Sequence, residues 1–570
     1  MKHFRRVLIA NRGEIAVRIA RTCREMGISP IAIYSDEDRL ALHARTADEA
    51  VCIGPSYLDI ERVVDAARRT RADAIHPGYG FLSEKAEFAE ACERAGFVFI
   101  GPPAEVIRKM GLKTTARKIA AEAGLPIVPE GASEFPVLIK AAAGGGGRGM
   151  RIVREAGQLD EAMKSARSEA ERSFGDGTLL MEKFIEGARH VEVQIFGDEH
   201  GNFMHLFERD CTAQRRFQKI VEESPCPALT EALRTRICDS ALVLARSIGY
   251  VNAGTVEFLL APAGEFYFIE VNTRIQVEHP VTELVTGLDL IQLQIEIAEG
   301  RTLPPQPAQT GHAIEARLYA EDPENEFLPS TGVIQVWRPP ANVRVDTAIE
   351  EGTEIGIQYD PMLAKIVAHG PDRETAVRKL VYALRSTMIF GVKTNREYLI
   401  RMLDSEAMEL EDRWFDAAAM TYLERTCPRL LRGVPYEYRN NPRVRTDSPE
   451  QAQFDGVAPT FEVIRVGEQL YIHSLYGSKT LPVPNRFPRP VSADTRQTAN
   501  SPMPGQVLRI LVEEGQHVTR GTALDVLEAM KMEQPIRTTI NGVVKSVLVR
   551  LGQVVAPGQM LVEITSENAL

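Results

Sequence analysis

The chain is poor in cysteine, with seven in 570 residues: Cys23, Cys52, Cys92, Cys211, Cys226, Cys238 and Cys427. None is spaced like a metal-binding pair, and an odd number argues against a disulfide framework, so a reducing cytoplasm is expected. Long apolar runs are missing too: nothing approaches the roughly 20 residues that span a bilayer. The opening MKHFRRVLIANRGE holds an apolar run of only four, too short for a secretory signal. Positive charge is not in excess. A net charge of −11 and a pI near 5.7 argue against nucleic acid or an anionic membrane as partner. The first glycine-bearing loop, Asn11-Arg12-Gly13-Glu14, lacks the three spaced glycines of a dinucleotide fingerprint. What is present is ordinary for globular protein, 44% hydrophobic and 25% charged residues. At about 150 residues per domain, the length suggests roughly four domains.

The C-terminal region repeats itself. Shifted by 37 positions, Gly505 falls on Gly542, Val507 on Val544, Val512 on Val549 and Gly515 on Gly552. Val518 then meets Val555, Gly521 meets Gly558 and Leu524 meets Leu561. Glycines at matched turns and branched residues at matched strand positions predict two similar strand sets packed face to face. The unmatched stretch between them must cross from one half to the other, and it carries Glu528-Ala529-Met530-Lys531-Met532. A lone lysine in a turn is usually a solvated surface residue. Flanking methionines and a duplicated scaffold point instead to an attachment site on an exposed turn. Over residues 498–570 the region resembles biotin carboxyl carrier domains, and the Asp-Lys-Ala usual in lipoyl domains is absent. The resemblance implies that a biotin protein ligase joins biotin to Lys531.

At the other end, strand and helix patterns alternate: residues 7–10 as a strand, 14–26 as an amphipathic helix, 30–34 as a strand. This predicts a parallel sheet with crossover helices. A second loop, residues 76–84, follows an apolar run at 72–75. Residues 135–140 form a short apolar strand ending in Lys140, which runs into Gly144-Gly145-Gly146-Gly147-Arg148-Gly149. Without side chains, backbone N–H groups can close around a polyphosphate while Lys140 adds a charge. This is not a Walker A loop, which needs Gly-Lys-Ser/Thr opening a helix.

Further on, Glu257 and Glu270 lie on successive strand-like segments joined by a turn at 262–264, which would pair the strands and bring both carboxylates together. With Asn272 they offer the hard oxygen ligands that magnesium takes beside phosphates. In residues 272–280, Arg274, Gln276 and Glu278 alternate, so an extended backbone would point them to one side. A guanidinium can hold a planar oxyanion while a nearby carboxylate removes its proton. Bicarbonate fits that pair.

Five motifs now stand in order: residues 9–16, the 76–84 loop, Lys140 with its glycine loop, residues 214–219, and residues 270–280. Residues 1–435 thereby resemble the biotin carboxylase domain of the ATP-grasp superfamily. The implied fold is an α/β N-terminal domain (1–112), an ATP-grasp lid (113–184), and the ATP-grasp core with the biotin carboxylase C-terminal domain (185–435). An abbreviated β-rich docking region and linker (436–497) and an all-β biotinyl domain follow. The resemblance implies ATP contacts for Lys113, Lys140, Gly146, Gly147, Glu182, Lys183, His190 and Gln214. It implies two Mg²⁺ (or Mn²⁺) ions on Glu257, Glu270 and Asn272. Bicarbonate would be bound by Lys219, Arg274, Gln276 and Val277, with Glu278 as general base and Arg344 stabilising the biotin enolate. Arg18 matches a residue near a dimer interface, so a homodimer or higher hetero-oligomer is expected.

Phe217 stands where histidine often contacts the nucleotide, Ala143 where some members carry a fifth glycine, and Lys85 where asparagine is usual. Only about 65 residues separate the two resembling regions, too few for a carboxyltransferase. The arrangement looks like the α subunit of an acetyl- or propionyl-CoA carboxylase working with a separate carboxyltransferase β subunit. A 2-oxoacid-type carboxylase subunit and a non-catalytic biotin carrier are the alternatives. In the segment from 435 to 501, strand-like runs are expected at 461–466 and 469–475, and residues 484–504 read as a mobile tether.

Overall fold

The computed structural model describes residues 2–129, 135–141, 150–174, 176–215, 218–404, 462–475, 477–482, 498–530 and 532–566. Gly146, Gly147, Ala143, Phe217 and Lys531 lie outside them. The chain divides into two compact units, one of Met1–Arg317, Val343–Ala348 and Ala364–Leu380, the other of the remaining segments.

The first unit opens with a parallel sheet in the order Glu49–Cys52, Ser29–Tyr34, Arg6–Ile9, Ala74–His76, Val98–Phe99. The predicted helix is Gly13–Glu25. It buries Ile15, Ala16, Ile19, Ala20 and Cys23 at the three- and four-residue spacing that gives a helix one apolar face.

Next comes an eight-stranded sheet: Phe266–Asn272, Asn252–Leu260, Arg189–Gly197, Phe203–Arg215, Gln218–Ser224, His312–Tyr319, Met362–Gly370, Arg344–Thr347. Alternation over residues 190–195 of strand Arg189–Gly197 explains its two faces there. Val191, Val193 and Ile195 join the core under helix Glu231–Ser247, which contributes Ile237, Cys238 and Leu244. His190, Glu192 and Gln194 therefore turn to the other face, where a polar site can form.

A smaller three-stranded antiparallel sheet, Arg151–Val153, Val137–Ala141, Leu179–Lys183, packs Val137, Ile139 and Val153 against Ala166 of helix Leu159–Phe174. Helix Lys113–Glu122, grouped by sequence with this lid, instead places Ala116 and Ala120 in the core of the large sheet.

In the second unit, the two strands expected in the middle region are Glu462–Val466 and Gln469–Ser474. A third, Gly477–Pro482, completes an antiparallel meander. It was not foreseen, because Gly477-Ser478-Lys479-Thr480 carries no apolar alternation.

The C-terminal repeat folds into two four-stranded sheets. One runs Thr498–Asn500, Met560–Ser566, Gly542–Val547, His517–Val518; the other runs Met532–Arg537, Ala523–Ala529, Gly505–Ile510, Val554–Val555. Each sheet draws strands from both halves, and the 37-residue shift carries one order onto the other. Val507, Val512, Val518 and Leu524 meet Val544, Val549, Val555 and Leu561 in one core. Gly515 and Gly552 (φ +84° and +78°), like Gly521 and Gly558 (φ +91° and +77°), occupy the left-handed region that favours glycine at matched turns. Two expectations change. Thr498–Asn500 is an edge strand of the carrier and Ser501 and Met503 are buried, so the end of the expected tether belongs to the carrier fold. The crossing stretch is also no mere connection, since Met532–Arg537 fills the sheet position that Thr498–Asn500 fills in the other sheet.

Candidate active site

The polar face of the eight-stranded sheet carries a row of charges. Register sets Glu270 opposite Glu257, Glu257 opposite Glu192, and Glu192 opposite Arg209 across four neighbouring strands. Directly opposed residues share a face, so three carboxyls and one guanidinium are forced together. The sequence-based pairing of Glu257 with Glu270 is thus present.

Lys219 is the hub. Its Nζ lies 2.5 Å from Glu192, 2.9 Å from Glu257 and 2.7 Å from Glu278. Burial disfavours its charge, but Cys211 and these three carboxylates outweigh that and hold the ammonium well above its ordinary value. Burial likewise pushes the Glu257 and Glu278 carboxyls up, and is overcome. Lys219 and His190 hold Glu257 well below the usual carboxylate range, and Lys219, Arg317 and Arg209 do the same for Glu278. Glu192 goes the other way, raised by burial and by Glu278. Arg209, fully buried, donates to Glu192 at 2.5 Å and to Gln194 and Thr282 at 2.9 Å.

His190 Nε2 sits 2.8 Å from Glu257 Oε2, while Gln214 Nε2 donates to His190 Nδ1 at 3.0 Å. With Nδ1 accepting, Nε2 carries the proton towards Glu257. Asn272 Nδ2 and Gln276 Nε2 donate to Glu257 Oε1 at 2.8 and 3.2 Å. Arg274 donates to Asn272 Oδ1 at 2.9 Å and to Gln276, and its Nε lies 3.2 Å from Glu84 of the 76–84 loop. The segment after Asn272 is not an extended strand as expected. It leaves the sheet and turns at Val277 and Glu278 into helix His279–Thr286, yet Arg274 and Gln276 still meet.

On the small sheet, Lys140 pairs with Glu182, which also pairs with Arg117. Burial lowers the Lys140 ammonium, and Glu182 only partly restores it. Lys113 Nζ lies 3.3 Å from Glu270. Lys183 ends strand Leu179–Lys183 with its side chain exposed.

Arg344 opens strand Arg344–Thr347. It donates to Glu283 at 2.6 Å and to Asp346 at 2.7 Å, and Glu283 in turn holds Arg18 at 2.9 Å. The guanidinium on Glu278 is that of Arg317, 3.0 Å from Oε2. Sequence reasoning missed it because Arg317 sits in strand His312–Tyr319, buried throughout, with no glycine or motif to flag it. Lys365 was missed similarly; fully buried, its Nζ donates to the Val277 carbonyl at 2.9 Å and lies 3.0 Å from Glu14. It fixes the turn that carries Glu278.

Residues 3–107 match the family described as biotin carboxylase, N-terminal domain, and residues 315–416 its C-terminal domain. Residues 107–306 match the carbamoyl-phosphate synthase L chain, ATP binding domain, and residues 497–564 the biotin-requiring enzyme family. The methylcrotonoyl-CoA carboxylase subunit alpha of Rattus norvegicus is 38% identical, over 99% of this chain and 93% of that one. The propionyl-CoA carboxylase alpha chain of Ruegeria pomeroyi is 37% identical, over 98% and 100%. Among solved structures, the biotin carboxylase domain of Hydrogenobacter thermophilus 2-oxoglutarate carboxylase, in complex with MgADP, ADP and bicarbonate, superposes with a TM-score of 0.70. It is 43% identical and covers 72% of this chain and 95% of that one. Three enzyme domains with their charged core, followed by a duplicated carrier fold and matched end to end, have one explanation: the chain belongs to the biotin-dependent carboxylase α subunits, in which a biotin carboxylase and a biotin carrier share one polypeptide.

Proposed function

We propose that the chain uses ATP and bicarbonate to carboxylate biotin held on its own Lys531, for transfer to an acyl-CoA by a separate carboxyltransferase β subunit. The observation that carries this is the Lys219 hub, which sets Glu278 beside the Arg274–Gln276 pair. Lys219, Arg274, Gln276 and the Val277 backbone bind bicarbonate, and Glu278 takes its proton. Glu278 is kept ionised and so always available, but a carboxyl held this low is a weak base, so proton removal must accompany attack on phosphorus. Arg344 stabilises the biotin enolate, and Arg317, in contact with Glu278, holds that base in place.

Lys113, Lys140, Glu182, Lys183, His190 and Gln214, with Gly146 and Gly147, form the ATP site. The opposed Glu257 and Glu270 carboxyls with Asn272 suit Mg²⁺ or Mn²⁺, being hard oxygen donors on one face. The metal would shield the phosphates' charge. Biotin supplies the nitrogen that accepts the carboxyl group, and a biotin protein ligase attaches it.

Both full-length relatives above are acyl-CoA carboxylases, which favours an acyl-CoA acceptor and adds methylcrotonoyl-CoA to the acetyl- and propionyl-CoA expected. The alignment to the rat subunit runs over 669 positions against 570 residues here, consistent with an abbreviated docking region. A homodimer within a larger assembly is part of this reading. So is the cytoplasm, on six free cysteines among the described residues. Among those residues no helix is long and apolar enough to cross a membrane.

The test is bicarbonate-dependent ADP release by the purified chain with free biotin: turnover is expected, and its absence would refute the reading. Capturing the biotinylated protein on monomeric avidin then identifies the transferase. A crotonase-like partner supports the acyl-CoA acceptor, and a barrel-type partner moves the protein to the 2-oxoacid carboxylases.

A further inference from the structure

Behind Glu278 lies a second group of acids for which the reaction above has no use. Glu222 of strand Gln218–Ser224 and Glu315 of strand His312–Tyr319 stand directly opposite in register, and both are fully buried. Opposed side chains share a face, with Cβ atoms about 5 Å apart. No hydrogen-bond donor reaches either oxygen of Glu315 among the described residues. One nitrogen of Arg317, Nη2, lies 3.0 Å from Glu278 Oε2 and also pairs with Glu222. The guanidinium therefore bridges the site and the pair behind it.

The charges facing the pair are few. Lys219 comes from the same strand as Glu222, Arg317 from the strand of Glu315, Lys365 from strand Met362–Gly370, and Glu278 from the turn before helix His279–Thr286. Lys219 is already shared by three other carboxylates, and Lys365 is engaged by Glu14 and the Val277 carbonyl. Two fully buried anions side by side, with one nitrogen of Arg317 shared between Glu222 and Glu278 as their near cation, cannot both persist.

We propose that Glu222 and Glu315 hold one proton in common and act as positioning residues, dividing Arg317 between this pair and Glu278. The inference rests on reading Glu278 as the base. The directions agree. Burial pushes Glu315 well above the carboxyl range and Glu222 up to about 7, while Glu278 is held low. The proton stays within the pair and none passes to substrate. With Glu222 anionic, Arg317 is only partly committed to Glu278, which keeps more of its basicity. When Glu278 takes the bicarbonate proton and loses its charge, Arg317 still has a counter-ion and holds its place.

The experiment is the pH dependence of kcat with free biotin for the 570-residue chain and its Glu222→Gln, Glu315→Gln and Glu278→Gln variants. Glu315→Gln imitates the protonated acid and should stay within about twofold of the parent across the profile. Glu222→Gln removes the counter-charge, so Arg317 falls wholly to Glu278. The acid limb should move down by about one pH unit, a tenfold change, with kcat reduced by about as much and KM for ATP unchanged. A Glu222→Gln profile that overlays the parent, or a Glu315→Gln as impaired as Glu222→Gln, overturns the shared proton. Loss of turnover in Glu278→Gln leaves the base assignment standing in either case; full turnover there refutes the base and not the pair. Should Glu222→Gln fail to fold, infrared spectra of ¹³C-glutamate-labelled protein decide. A protonated-carboxyl band at about pH 8 that vanishes in Glu315→Gln supports the pair, and no such band overturns it.

Discussion

Replacing Lys219 with methionine keeps most of the side chain's length and removes the ammonium that Glu192, Glu257 and Glu278 share at 2.5–2.9 Å. These carboxyls are 0%, 4% and 1% exposed, so water cannot take its place. Removing one partner from a buried ion pair costs about 3–5 kcal/mol. Arg209 still neutralises part of Glu192, which puts the expectation near the lower end, about 3 kcal/mol at pH 8. The pH dependence gives a sharper test. In the parent, Glu257 and Glu278 are depressed, so their stabilisation is present at neutral pH and is lost only as pH falls below about 4 through the folded values. Without Lys219, burial, the largest influence on both, is far less opposed and the carboxyls move up. A group raised in the folded state gives stability that fades as pH rises, so the slope inverts. Denaturant unfolding should show Lys219→Met closer to the parent at about pH 6 than at about pH 8. Bicarbonate-dependent ADP release should fall by about 10²–10⁴. Equal stability at pH 8, or an equal deficit at both pH values, would refute the reasoning.

Arg317→Gln, which releases Glu278, should lower kcat with free biotin by about 10²-fold; steady-state kinetics checks this, and an unchanged kcat would remove Arg317 from the proposed site. Lys531→Ala should abolish avidin binding on a blot while sparing turnover of free biotin, and a variant still retained by avidin would move the attachment site. Asp525, fully buried with no hydrogen-bond donor on either oxygen among the described residues, is pushed by burial up to about 6. Its ordinary value is about 3.9, so the carrier loses stability as pH rises from about 4 through 6, and Asp525→Asn should recover on the order of 2–3 kcal/mol at pH 8 by thermal melting.

Local chemistry made much of this legible. The turn at 262–264 pairs Glu257 with Glu270, as the structure has them. The 37-residue shift in the sequence marks the carrier's duplication. What stayed hidden depends on register between distant strands. Arg317 reaches Glu278, and Glu222 meets Glu315, only because strand His312–Tyr319 lies beside Gln218–Ser224. No local pattern records that neighbour. Likewise, Thr498–Asn500 looks like linker because three residues carry no period, and only its partner Met560–Ser566 makes it a strand.

That partnership has a consequence for the order in which the carrier comes into being. Its first strand is hydrogen-bonded to its last, and both sheets mix the two halves, so neither half can close a core while the other is missing. A chain still emerging from the ribosome has the strands flanking Lys531 long before it has Met560–Ser566. An enzyme that recognises the folded hairpin finds nothing to act on until that final strand is made. On the proposed reading of Lys531 as the attachment site, a subunit cut short of Met560–Ser566 is expected to go unbiotinylated although it contains the lysine.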